Sequence, residues 1–327
     1  MAKKRSKVKR LLSIDGGGIR GIIPALVLAE MERQTKKPVC ELFDLIAGTS
    51  TGGILALGLT VPNSKGRPRY KARDLVALYE ANGHQIFSRT IWHRIHSGWG
   101  LREEKYPAEP LEGILKDYFG DARLDASLTE VFVTAYAIER RCPFFFRSVR
   151  AKKKSEYGES YNFLMREAAR ATSAAPTYFE PYQLQSLDKE NDYYALIDGG
   201  VFANNPAMCA YADARILWPG DKLILLSLGT GELTRALPIQ EARTWGLAEW
   251  IKPVMDVVFD GVSDSVSYQI KQLLGNNYLR LQTRLVTGND DMDDASETNV
   301  RALKLLGKEL IRDKKAEIEM ICKKMNT

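Results

Sequence analysis

Apolar residues along this chain fall into short unbroken runs that alternate with longer stretches at helical spacing. Leu11-Leu12-Ser13-Ile14 is a run of the first kind and predicts a short buried strand. From Ile22 to Arg33 the spacing is helical, with Ile22, Leu26 and Ala29 on one face. Leu42 to Ala47 predicts a second buried strand, and Ile54 to Leu59 a helix directly after it. Arg73 to Phe87 and Leu111 to Phe119 predict two more helices. Val131 to Ile138 and Phe144 to Val149 read as strands of a hairpin, turned at Arg140-Arg141-Cys142-Pro143. Asn162 to Thr172 predicts a helix, Tyr193 to Asp198 a strand, Pro206 to Ile216 a proline-led helix, and Lys222 to Leu228 a strong strand. The last third predicts helices over Trp245 to Phe259, Ser263 to Leu274 and Thr298 to Met325, with a short strand at Tyr278 to Gln282.

With 327 residues, 45% of them hydrophobic, the chain can build one large core, and no Pro/Ser-rich linker divides it. A single domain from residue 11 to 327 is expected, with residues 245–327 as its helical C-terminal part. Much of the net charge of +6 sits in Lys3, Lys4, Arg5, Lys7, Lys9 and Arg10. Residues 1–10 are therefore expected to form a disordered basic arm, a solubilising tail ahead of a contact for a polyanion. The apolar residues after it stop at Asp15, too soon for a signal peptide, and no run is long enough to span a bilayer. The four cysteines are far apart, which points away from zinc and disulfides and towards a reducing compartment. A soluble cytoplasmic protein is expected, at most peripheral at the inner membrane surface.

The candidate chemistry lies where strands end in glycines. Gly48-Thr49-Ser50-Thr51-Gly52 is a G-x-S-x-G sequence between a predicted strand and a predicted helix, the context of a nucleophile elbow. The flanking glycines, Gly48 and Gly52, suit such a strained turn, and Ser50 would project above the sheet. Asp15-Gly16-Gly17-Gly18-Ile19-Arg20-Gly21 is a second glycine turn before a helix. Its G-x-G-x-x-G spacing matches a dinucleotide fingerprint, but the second strand ends in the serine turn and offers no ribose-binding acid. No Lys-Ser/Thr follows to make a P-loop. An oxyanion-binding loop is the functional reading left, with Arg20 as a nearby positive group. A third turn, Asp198-Gly199-Gly200, puts an acid at a strand end, where it is a candidate general base or a turn aspartate bound to its own backbone.

Only His84, His93 and His96 are present, so no histidine follows Asp198 or precedes Ser50. The usual serine-triad orders are thereby excluded, although one of these three could serve a non-standard triad. A Ser50–Asp198 dyad is simpler, and needs a desolvated aspartate and a strong oxyanion hole. His93 and His96 have no third ligand at sensible spacing, so no metal is expected. The basic and bulky residues from His84 to Trp99 read as a local subdomain, with a lid over residues 84–106 as the alternative. Asp290, Asp291, Asp293 and Asp294 miss the EF-hand pattern and read as a solvated loop. Ser173 to Phe179 begins with small residues that would allow close packing or substrate approach.

Together these motifs resemble the patatin-like phospholipase family, bacterial lipid acyl hydrolases among them. The resemblance rests on the three glycine turns, on Ala171-Thr172-Ser173-Ala174-Ala175-Pro176-Thr177-Tyr178-Phe179, and on Asn204-Asn205-Pro206 and Gly229-Thr230-Gly231. It runs from about Leu11 to Gly231 and more loosely into the last helix. It implies an α/β fold, a three-layer α/β/α sandwich with a mainly parallel central sheet. It implies a serine acyl hydrolase of glycerophospholipid esters with no cofactor. Ser50 would be nucleophile and Asp198 base; Gly16, Gly17 and Gly18 would supply oxyanion N–H groups, Arg20 would support that loop, and Gly199 and Gly200 would support the aspartate. The partner is then a phospholipid membrane surface and not a nucleic-acid polymer, and a homo-oligomer fits. Bacterial members of this size include antiphage effectors switched on by a cyclic nucleotide, which makes such an activator a further expectation. The contrasting reading is a nucleotide- or lipid-binding protein that uses Gly16 to Gly21 without hydrolysis.

Overall fold

The computed structural model describes residues 7–86, 106–158, 160–287 and 291–326. In chain order the sheet strands are β1 (Val8–Ile14), β2 (Leu45–Thr49), β3 (Glu130–Ala137), β4 (Cys142–Arg147), β5 (Tyr182–Gln185), β6 (Tyr193–Asp198), β7 (Lys222–Leu228) and β8 (Tyr278–Leu281). The helices used below are α1 (Ile22–Thr35), α2 (Thr51–Thr60), α3 (Ala72–Ile86), α4 (Glu109–Phe119), α5 (Met165–Thr172), α6 (Ala207–Leu217), α7 (Leu247–Leu274), α8 (Glu297–Asp313) and α9 (Lys315–Asn326).

All eight strands belong to one sheet of order β5-β6-β3-β2-β1-β7-β8, with β4 also pairing with β3. The run from β3 to β8 is parallel, while β4, β5 and β6 join antiparallel. Because side chains alternate along a strand, the apolar central strands feed two cores at once. Leu12, Ile14, Ile46, Leu226 and Leu228 pack beneath α1–α5, α8 and α9. Leu11, Leu45, Ala47, Leu223 and Leu225 pack against α6 and the C-terminal end of α7. This is a three-layer α/β/α sandwich with a mainly parallel sheet.

Several boundaries differ from the sequence expectation. Three residues expected in the basic arm, Val8, Lys9 and Arg10, belong to β1, where Val8 pairs with Lys222 of β7; residues 1–6 lie outside the described residues. Lys9 and Arg10 are strand residues: the Lys9 ammonium lies 2.8 Å from Asp44 Oδ1, and Arg10 N–H donates to Asp44 Oδ2. The second strand starts later, at Leu45, because Pro38 opens a helical turn over Val39–Leu42. The helices expected over Trp245–Phe259 and Ser263–Leu274 are one helix that carries Pro253 and Gly261 inside it. The last expected helix is two, broken at Lys314, and the break lets both α8 and α9 lie against α1. The edge strand β5 has too little apolar character to be legible beforehand.

Candidate active site

The parallel register puts three glycine turns at one edge of the sheet, after β1, β2 and β7. Ser13 pairs with Ala47 and with Ser227, so the three chains leave the sheet at the same level. The aspartate arrives differently. Thr49 is opposite Thr134 on β3, and Asp198 is opposite the next residue, Ala135. Ser50 and Asp198 therefore share a level across β3, two strand spacings or roughly 9–10 Å apart in backbone, a gap their side chains close. The Ser50 side chain faces the Asp198 carboxylate closely enough to oppose the rise in its pKa, and both residues line one cavity.

Ser50 has φ 54° and ψ −125°, a conformation that costs a non-glycine residue about 1–3 kcal/mol. Its surroundings enforce it. A Cβ on Gly48 would overlap the Gly52 carbonyl, and one on Gly52 would overlap the Ile14 carbonyl, so both glycines let α2 start directly on the strand end. Ser50 N–H donates to Thr172 Oγ1 at 2.8 Å, and that hydroxyl donates to Thr134 O at 2.6 Å. Thr49 Oγ1 donates to Ala203 O at 2.6 Å on the other side. The elbow is tied to α5 and to the turn after Asp198 at once.

Asp198 is buried, 3% exposed, and desolvation raises its carboxyl from 3.8 to about 7, against the opposing influence of Ser50 and the Gly200 N–H. Gly200 N–H donates to its Oδ1 at 2.7 Å, and its own N–H donates to Ala174 O at 2.9 Å. A Cβ on Gly199 would overlap the Thr134 hydroxyl. A carboxyl near 7 can both take and return a proton at neutral pH.

The turn after β1 folds over the serine. Gly17 and Gly18 line the cavity beside Ser50 and Asp198. The expectation of three N–H groups facing the cavity is corrected at Gly16, whose N–H donates to Asn204 O at 3.0 Å. Gly16 O in turn accepts from Thr230 Oγ1 at 2.6 Å, so the two motifs after β6 and β7 clamp this glycine. Arg20 is buried and its Nε donates to Gly17 O at 3.2 Å. Asp15 sits beneath, in a two-pronged ion pair with Arg280 of β8 at 2.6 and 2.9 Å, and also accepts from Ser263.

The acidic loop is the largest departure from expectation. Far from being solvated, Asp293 is buried and accepts from Tyr106 Oη at 2.6 Å. Met292 O accepts from Ile19 N–H at 2.9 Å. Gly18 has φ 56°, and a Cβ there would overlap that same Met292 carbonyl. The C-terminal segment is therefore part of the site wall. Asn204, Thr172, Phe259, Arg280 and Met292 are site residues that the sequence reading did not single out. Only Asn204 and Thr172 stood inside motifs that could have found them.

The resulting cavity has a volume of about 70 Å³ and an apolar wall that includes Ile19, Ile54, Ile86, Leu111 and Phe179. A second, polar cavity of about 160 Å³ adjoins it across Tyr178, Asn204, Phe259 and Met292, and is lined by Arg20, Glu232, Asp256 and Asp260 among others. His84 lies exposed on α3 and does not line the catalytic cavity; His93, His96 and most of the stretch read as a local subdomain, or alternatively a lid, lie in residues 87–105, outside the described residues. Among the described residues there is no cluster of metal-ligand side chains, and no helix is long and apolar enough to cross a membrane.

The chain is similar to known proteins. The model of the patatin-like phospholipase family matches residues 12–211. Patatin-like protein 4 of Arabidopsis thaliana is 33% identical over 94% of this chain and 84% of its own length. Patatin-like protein 2 of Oryza sativa subsp. indica is 32% identical over 95% and 85%. A relative from Solanum tuberosum, 32% identical over 94% of this chain and 87% of its own, is named as a probable inactive patatin-3-Kuras 1. Among solved structures, VipD from Legionella pneumophila aligns with 95% of this chain and 67% of its own at 12% identity, with a TM-score of 0.39. The chain belongs to the patatin-like phospholipase family. Family membership makes a lipid acyl hydrolase the general expectation, while the relative named as inactive shows why activity has to be argued from the site.

Proposed function

We propose that this protein cleaves fatty-acyl esters of glycerophospholipids through a Ser50–Asp198 dyad. The observation that carries the reading is the strained Ser50 facing a buried, desolvated Asp198 in the wall of one apolar cavity. In the first half-reaction Asp198 takes the Ser50 proton as Oγ bonds to the ester carbon. The carbonyl oxygen becomes an anion, which the N–H groups of Gly17 and Gly18 at the cavity wall stabilise. The ester C–O bond then breaks, and Asp198 passes the proton to the departing alcohol oxygen of the lysolipid. In the second half, water gives a proton to Asp198 and attacks the acyl-serine, and the proton returns to Ser50 as the fatty acid leaves.

The apolar cavity suits the acyl chain. A protein that only bound lipid would have no use for a serine held at φ 54°. The Gly16–Gly21 turn is also poorly suited to nucleotide phosphates, since Gly16 and Ile19 N–H groups are already bonded within the chain.

The test is fatty-acid release from mixed phospholipid vesicles by wild type, Ser50→Ala and Asp198→Asn. Each is assayed with and without cyclic dinucleotides, because a cyclic-nucleotide activator is one expectation from the family resemblance. Release by wild type that both substitutions abolish supports the dyad, and dependence on the nucleotide would add the switch. Full activity in Asp198→Asn, or no fluorophosphonate labelling of Ser50, would overturn it.

A further inference from the structure

Ser173 stands between the two residues that hold the dyad in place. Thr172 before it receives the Ser50 N–H, and Ala174 after it receives the Asp198 N–H. Its own backbone is satisfied, with N–H on Arg170 O and carbonyl on Ala175 N–H. Its side chain is not. Ser173 is 8% exposed, it lines the catalytic cavity, and its Oγ has no hydrogen-bond partner among the described residues. A buried hydroxyl without a partner is a standing cost in the free protein, and one that a bound ligand can remove.

The cavity limits what that ligand atom can be. An acyl chain brings no polar atom to the apolar wall. The carbonyl oxygen of the scissile ester belongs at Gly17 and Gly18 under the reading above, on which this inference rests. Of the oxygens left, those of the substrate alcohol lie nearest the scissile bond. A hydroxyl in this position discriminates more sharply than an apolar contact, because a substrate without the matching oxygen leaves it unpaired.

We propose that Ser173 is a substrate-positioning residue whose hydroxyl donates to the glycerol oxygen next to the scissile ester, and so selects glycerolipids over simple fatty-acyl esters. The test uses two monoacyl lipids in the same detergent micelles. One is an oleoyl ester of glycerophosphocholine methylated on the neighbouring oxygen. The other is the same ester built on propanediol phosphocholine, which lacks that oxygen. Wild type prefers the first by about tenfold in kcat/KM, the scale of one lost hydrogen bond. Ser173→Ala brings the ratio close to one by slowing only the first lipid, and Ser173→Thr, which keeps a hydroxyl, restores part of it. Ser173→Ala leaves the unfolding midpoint of the free protein equal or higher, since it removes an unpartnered buried group. An unchanged ratio in Ser173→Ala overturns the assignment. So does a fall on both lipids in proportion, with a lowered midpoint, which marks a structural role. No hydrolysis of either lipid by wild type, with or without cyclic dinucleotides, is a separate result that refutes the proposed function and takes this assignment with it.

Discussion

Replacing Asp198 by asparagine is expected to make the protein more stable and inactive, and the gain should depend on pH. The wild-type carboxyl is raised by burial from 3.8 to about 7. The unfolded chain gives up this proton near pH 4, while the folded chain holds it until about pH 7, so the folded state binds more protons in between and loses stability as pH rises. The difference of about 3 units corresponds to about 4 kcal/mol against the folded state once the group is ionised. Between about pH 5 and pH 9 the part still to be lost is about 3 kcal/mol. Asparagine carries no charge to desolvate. Its amide oxygen can keep the 2.7 Å bond from Gly200 N–H and its NH₂ can face Ser50. Urea unfolding of both proteins across this pH range isolates the effect, because every other titrating group is common to them. The stability of Asp198→Asn relative to wild type should grow by about 3 kcal/mol from the acid to the alkaline end. Wild-type kcat/KM should rise with pH and level off near the same value. Parallel stability curves would show that the carboxylate is not desolvated and would remove the basis for its role as base.

Three further outcomes follow from the same geometry. Thr172→Val leaves Ser50 N–H and Thr134 O without their shared hydroxyl, and should cost about 2 kcal/mol in chemical denaturation and lower kcat more than it raises KM. Gly18→Ala forces a side chain against Met292 O at a positive φ, and should cost at least about 1 kcal/mol and at least about tenfold in kcat on ester substrate. Arg280→Gln removes the partner of the buried Asp15 carboxylate and should destabilise by about 3–5 kcal/mol, less at acid pH where Asp15 takes a proton; urea midpoints at two pH values read both parts.

Much of the fold was legible because its signals are local. Unbroken apolar runs such as Lys222–Leu228 mark strands buried on both faces, and glycines beside Ser50 mark a turn that only they permit. Helix ends were less legible, since Pro253 and Gly261 are breakers by propensity and yet lie inside α7, where packing and the Arg280–Asp15–Ser263 contacts hold the chain.

Ser50 and Asp198 could be named from the sequence as an elbow serine and a strand-end acid, and the absence of a suitably ordered histidine pointed to pairing them. What only the tertiary structure decided is how they meet, through the register of β3 between β2 and β6, which no local pattern encodes. The same holds for the far end of the chain. A run of aspartates signals solvation by its charge, but the group that docks on Gly18 and Ile19 is a backbone carbonyl at Met292, and a carbonyl has no signature in a sequence. Local conformation and burial are properties of neighbouring residues and can be read along the chain; a site assembled from strand ends and backbone groups exists only once the sheet has brought distant segments to one edge.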